Sequence, residues 1–222
     1  MSWSGHGGGG GRGRRGYHHG NLREALIAAA LDLIAEKGPG GFTFAEAARS
    51  AGVSPAAPYR HFRDRDALIV DVAQRGFAHF TEELARAWND GRPDAMTAFE
   101  ALGRAYLAFA KAEPAYYAAM FEAQLPPDPS RELSQAGDQA FAVLRRAAEA
   151  LCAKLPRESR PPPMMMALHV WALAHGIASL FGRGDAARRK LPMAPEELLE
   201  AGVLIYLQGL GLGQDPGGGP EG

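Results

Sequence analysis

Residues 43–65, TFAEAARSAGVSPAAPYRHFRDR, limit the fold more than any other stretch of this chain. Thr43 and Glu46 stand at the T-x-x-E spacing of a capping box. There a hydroxyl and a carboxylate satisfy backbone N–H groups that the first helical turn leaves without partners, so a helix is predicted to begin at Phe44. Ala47, Ala48 and Ala51 keep it thin where a second helix must come close. Gly52 ends it, because glycine takes the left-handed closing conformation without strain. Val53 is expected to enter the core. Ser54 then reads as an N-cap and Pro55 as the first residue of a second short helix. That helix carries Tyr59, Arg60 and His61 before Phe62 turns inward. Pro58 has no N–H for the Ser54 carbonyl, so its first turn should be loosened. A thin helix, a glycine turn and a short polar helix are the parts of a helix-turn-helix, whose second helix enters the DNA major groove.

The flanking segments read as helices too. Residues 22–37 form an amphipathic helix with Leu22, Leu26, Ala29 and Leu33 on one stripe, widened by Ile27, Leu31 and Ile34. Phe42 and Phe44, on either side of Thr43, should plug a three-helix core. Asp64 caps a long helix over 65–89, with Leu68, Val72, Phe77 or Gly76, Phe80, Leu84 and Trp88 as its stripe. A helix of that length leaves the small domain and links it rigidly to the C-terminal part of the chain. Further helices are predicted over 94–112, from Pro114 through Phe121, over 130–155, over 164–181 and after Pro195, separated by Pro- and Gly-rich loops. The segment 164–181 is apolar all round and should be buried on several sides. No strand period appears. The expected fold is all-α, divided into a Gly/Arg-rich disordered arm (1–16), a helix-turn-helix domain (17–63), a second helical domain (64–212) and a disordered tail (213–222).

Charge is uneven although the net value is only −1. Residues 1–75 carry 10 Arg/Lys against 7 Asp/Glu, and the remainder 14 against 18. A basic end on an acidic body fits one nucleic-acid face. The single cysteine, Cys152, excludes an intrachain disulfide and suits a reducing, cytoplasmic setting. No apolar run is expected to span a bilayer without polar interruption, so no membrane partner is predicted. The Arg residues near the start precede no apolar stretch of a secretory signal. His18 and His19 have no partner pair at metal-binding spacing, and they read as helix-entry residues, with Asn21 as the N-cap. No metal, cofactor or catalytic set is expected. Cys152 lies on an apolar face, and no triad is visible around Glu122 or His175.

Ala48-x-x-x-Gly52-Val53-Ser54, followed by Tyr59-Arg60-His61-Phe62, Arg65 and Leu68, resembles the DNA-binding domain of the tetracycline-repressor (TetR) family. The likeness extends from about Leu22 to Leu68. Trp171 with His175-Gly176 resembles the Trp-x-x-x-His-Gly signature of one C-terminal subtype. The resemblance implies that Tyr59, His61 and Arg65 touch phosphate. Thr43 adds a helix N-terminus, whose N–H groups favour a phosphate. Arg60 is the long donor suited to a guanine edge. Pro55, Ala56 and Ala57 are short, fit to meet thymine methyls or to let the backbone approach. Ala57 and Pro58 depart from the usual Thr and Leu of the family. The DNA-binding set is therefore Thr43, Ser54, Pro55, Ala56, Ala57, Tyr59, Arg60, His61 and Arg65.

In the second domain Tyr106, Phe109, Tyr117, Phe121, Trp171 and His175 are candidates for lining an apolar ligand pocket. Aromatics at helical spacing are more often plain core. The resemblance implies a small-molecule effector, a homodimer on a palindromic double-stranded DNA operator, and repression relieved by the effector. The other readings are an effector-independent DNA-binding dimer and a helical enzyme with an apolar pocket. The apolar faces of 164–181 and 198–210 are the expected dimer surface.

Overall fold

The computed structural model describes residues 22–125, 130–182 and 192–212. The expected arm and tail, along with Tyr17, His18, His19 and Asn21, lie outside the described residues. Among the described residues are eight α-helices and no strand: α1 (Leu22–Lys37), α2 (Phe44–Ser50), α3 (Arg65–Trp88), α4 (Ala95–Ala112), α5 (Pro114–Phe121), α6 (Arg131–Cys152), α7 (Pro163–Gly182) and α8 (Pro195–Gly209).

Local chemistry accounts for the start of the small domain. The Glu46 backbone N–H donates to Thr43 Oγ1 at 3.2 Å, and the Thr43 N–H donates to Glu46 Oε2 at 2.7 Å. α2 closes with the Gly52 N–H on the Arg49 carbonyl and the Val53 N–H on the Ala48 carbonyl, both at 3.0 Å. This Schellman geometry requires a left-handed residue between them, and Gly52 has φ +73°. Leu26, Ala47, Phe42, Phe62, Leu68 and Val72 share one core. Each large member stabilises the fold by about 1.5–3 kcal/mol. Two expectations are corrected here. Val53 and Phe44 are only half-buried, and the buried residue of the turn is Pro58.

The second member of the helix-turn-helix also differs from expectation. It is a 3₁₀ helix, Ala57–Arg60, with Ala56 rather than Ser54 in the N-cap position and no side-chain cap. The Ala57 N–H donates to the Ser54 carbonyl at 3.0 Å. Pro58 supplies no N–H for the next α-helical bond, so the tighter i→i+3 winding takes over.

α3 joins the two halves. Asp64 caps it by accepting from the Ala67 N–H at 2.8 Å. Leu68, Ile69, Val72 and Ala73 at its start are built into the N-terminal core, which therefore continues past residue 63. Ala119 of α5 and Leu133 of α6 join the same core. Phe80, Leu84 and Trp88 further along belong to the second core. At 1.5 Å per residue, α3 is a rod of about 36 Å with one end in each. It packs against α4, α5 and α6, while α7 packs on α4, α6 and α8.

α7 is not buried on several sides. Met166, Ala167, Val170, Ala174, Ile177 and Ala178 face the core, but Met164, Met165, Leu168 and Leu180 are exposed. Its composition misled because apolar residues continue round to a face that nothing in one chain covers. α7 is also long and apolar enough, by length and composition, to cross a bilayer, although His169 and His175 interrupt its apolar run. No other described helix is.

Candidate nucleic-acid face and apolar cavity

The glycine turn and the 3₁₀ helix place Ser54, Pro55, Ala56, Tyr59, Arg60 and His61 together on the exterior, with Ala57 half-buried behind them. Tyr59 is 63% exposed, and its ring stands edge-on to Phe44 at 5.1 Å. That contact fixes the ring's direction and leaves the hydroxyl outward. Phe62 anchors the end of the turn in the core, with the Arg23 guanidinium 4.8 Å above its ring. Tyr59, Arg60 and His61 thus ride on a short element pinned at both ends by Pro58 and Phe62.

Two of the nine expected DNA residues are engaged within the protein. The Thr43 N–H and hydroxyl both donate to Glu46, whose carboxyl is held down at about 2 chiefly by the Thr43 N–H and next by Lys37. A carboxylate therefore stands beside the expected phosphate position. Arg65 is half-buried: it donates to the Pro39 carbonyl, pairs with Asp66 at 3.2 Å and lies over the Phe42 ring at 5.0 Å. Its guanidinium ties the start of α3 to the α1–α2 loop. Spacing alone could not reveal this, because Pro39 and Arg65 are brought together only by the three-helix packing.

The second half carries a half-open cavity of about 290 Å³ between α3, α4, α5, α6 and α7, with the exposed Leu168 in its wall. Of the six candidates, Tyr106, Phe121 and Trp171 line it. Phe109 does not: it is buried core, tilted against Phe80 at 4.8 Å and edge-on to His79 at 5.4 Å. Tyr117 and His175 form a layer behind the wall. The hydroxyls of Tyr106 and Tyr117 lie 3.1 and 2.8 Å from His175 Nδ1. Trp171 stacks on the imidazole at 5.4 Å. Burial pushes both tyrosines up and His175 down from their ordinary pKa values, so all three are held neutral. The rest of the wall is Phe77, Phe80 and Leu84 of α3, Leu102 of α4, Leu168 of α7, and Gly137, Ala140, Phe141 and Leu144 of α6. These read as ordinary core stripes. The one usable signal was Gly137, a glycine in the interior of a long helix.

A helix-turn-helix unit joined through a shared helix to an all-α domain with an apolar cavity defines a two-part helical DNA-binding regulator. Residues 26–72 match the model described as bacterial regulatory proteins, tetR family. Residues 99–205 match the tetracyclin repressor-like C-terminal domain. The chain belongs to the TetR family of transcriptional regulators.

A protein with unknown function from Rhodococcus sp. RHA1 has a similar structure, with a TM-score of 0.73 and 33% identity, covering 88% of this chain and 98% of that one. The uncharacterized HTH-type transcriptional regulator YobS of Bacillus subtilis (strain 168) is 26% identical over 100 residues, 45% of this chain and 51% of that protein. The HTH-type transcriptional regulator BetI of Rhizobium meliloti (strain 1021) is 42% identical over 48 residues, 22% of this chain and 24% of that protein. The match thus spans about half the length of one curated relative and about a quarter of the other.

Proposed function

We propose that this regulator binds a palindromic operator as a homodimer and is released by a small apolar effector, acting as a repressor in the cytoplasm. The cavity carries the reading. Three of its wall residues, Phe77, Phe80 and Leu84, sit on the helix whose first half is built into the DNA-binding core. A molecule that spreads or fills this wall acts directly on a rod rooted beside the reading turn. A ligand shifts such an equilibrium only by its different affinities for the DNA-ready and released states. We assign base reading to Arg60, phosphate contact to Tyr59 and His61, and close backbone approach to Ser54, Pro55, Ala56 and Ala57. Arg65 and Thr43 act in this reading by positioning, since their side chains are already engaged.

Dimerisation is supported by the uncovered apolar face of α7 and α8, where Leu168 is 45%, Leu204 53% and Ile205 71% exposed. Two copies of this pair would make a four-helix contact about a two-fold axis. Reading turns would then sit about 34–36 Å apart, one turn of DNA, or at a multiple of that spacing.

The test begins with operator fragments selected from random DNA and compounds that raise the melting temperature. Linkage requires that operator weaken effector binding by the factor by which effector weakens operator binding, about 5–150 for a coupling of 1–3 kcal/mol. Equal effector affinities with and without operator would demote the second domain to a dimerisation module. Trp171→Ala should impair the effector response while leaving effector-free operator affinity nearly unchanged, measured by the same two titrations.

A further inference from the structure

The chemistry of the cavity wall narrows the class of molecule it accepts, provided that the cavity is the effector site described above. The wall carries no charged side chain, and its polar side-chain groups are the Tyr106 hydroxyl and the Trp171 indole N–H. An ion placed there would give up hydration with no opposite charge in return, which is unfavourable. The imidazole behind the wall supplies no compensating charge, because burial favours its neutral form.

The two polar groups meet in the wall, where the Trp171 indole N–H donates to the Tyr106 oxygen and the Tyr106 hydroxyl keeps the one proton still to be placed. An indole N–H is a donor only. The Tyr106 hydroxyl is set by its neighbours. When His175 Nδ1 is unprotonated it has one lone pair, and the Tyr117 hydroxyl at 2.8 Å is closer to it than Tyr106 at 3.1 Å. When Nδ1 carries the proton it donates, and both hydroxyls keep theirs for other acceptors. Either way the Tyr106 proton is left to the Tyr117 oxygen or to an acceptor in the cavity. A volume of about 290 Å³ is roughly twice that of an engineered cavity known to hold benzene.

We propose that the cavity takes an uncharged molecule with an apolar body of about two fused rings and one hydrogen-bond-accepting oxygen, lodged against the Tyr106 hydroxyl. Binding moves the Tyr106 proton from Tyr117 to the ligand oxygen. The contact between the α4 and α5 tyrosines is thereby exchanged for one to the ligand, which gives an oxygen-bearing molecule a differential effect that a plain hydrocarbon lacks.

The probe is prodan, a neutral naphthyl ketone whose emission moves to the red when its carbonyl accepts a hydrogen bond. The full chain should bind it saturably with red-shifted emission. Tyr106→Phe, which removes one oxygen and keeps the ring, should weaken binding about 2–10-fold, the factor set by one neutral hydrogen bond, and move the emission to the blue. Competition should rank acetylnaphthalene above naphthoate, and isopropylnaphthalene should bind both proteins alike. Gly137→Leu, whose side chain grows into the cavity beside Phe77, should abolish prodan binding. Unchanged affinity and emission in Tyr106→Phe, or naphthoate binding as tightly as acetylnaphthalene, overturns the ligand class while leaving the cavity as an effector site. Binding that persists in Gly137→Leu, or no binding by any probe, overturns the cavity reading too.

Discussion

Arg60 carries the only guanidinium on the exposed 3₁₀ turn, between a tyrosine and a histidine whose reach suits the backbone of DNA. Arg60→Ala should cost roughly 1–3 kcal/mol on the specific site and relax one of its positions. A binding-site selection that returns the same consensus for both proteins would remove Arg60 from base reading. Loss of Tyr59 or His61 should instead weaken all sequences alike. Glu46 acts on stability rather than on DNA. Its folded carboxyl is depressed to about 2, so its contribution is present above the ordinary value of 4.5 and is lost as pH falls from there towards 2. Glu46→Gln should therefore flatten the fall in melting temperature over that window. Parallel acid limbs for the two proteins would argue against the capping box as their source.

At the scale of elements, α3 is decisive because one helix belongs to two cores. It packs on α5 at Gly76, where an added Cβ would meet Met120 Sδ at 2.7 Å and Tyr116 Cδ1 at 3.1 Å. Alanine would be absorbed by the flexible methionine, and its better helix propensity offsets part of the crowding. Gly76→Leu cannot be accommodated that way and should destabilise the protein by about 1–3 kcal/mol by overpacking. Calorimetry checks this, and a melting temperature equal to that of the parent would mean that α3 and α5 separate at little cost. Surface ion pairs between α1 and α3, Arg23–Asp71 and Arg75–Glu24, both at 2.5 Å, are partly exposed and contribute little by comparison.

For the whole molecule, the α7–α8 face decides the assembly. Ile205 is 71% exposed in the single chain, so a charge there costs the monomer almost nothing but would be buried in a two-fold contact. Ile205→Glu should give a folded monomer by light scattering and circular dichroism, with affinity for the full operator reduced towards that for a half-site. A variant that stays dimeric would move the interface elsewhere. The same face explains why α7 passes by composition for a membrane span: its outward apolar residues need a partner helix as much as its inward ones do.

Local rules, acting over three or four residues, made the caps, the glycine turn and the helix boundaries legible in the sequence. Thr43 with Glu46, Gly52 and Asp64 stand where their short-range hydrogen bonds require, whereas Ser54, read as a cap by the same rule, caps no helix. The loosened turn was legible for the same reason, because Pro58 lacks a donor whatever surrounds it. Periodicity identified which residues are apolar and on which stripe. What periodicity could not decide was which buried aromatic meets a neighbour and which meets empty space. Phe109 and Phe121 look alike along their helices, yet one is packed solid and the other borders the cavity. Likewise Arg65 reads as a free cation until Pro39 and Phe42, far away in sequence, close around it. Cavities and engaged charges are properties of the gaps between helices, and those gaps are set by how side chains from five different segments fill the same volume.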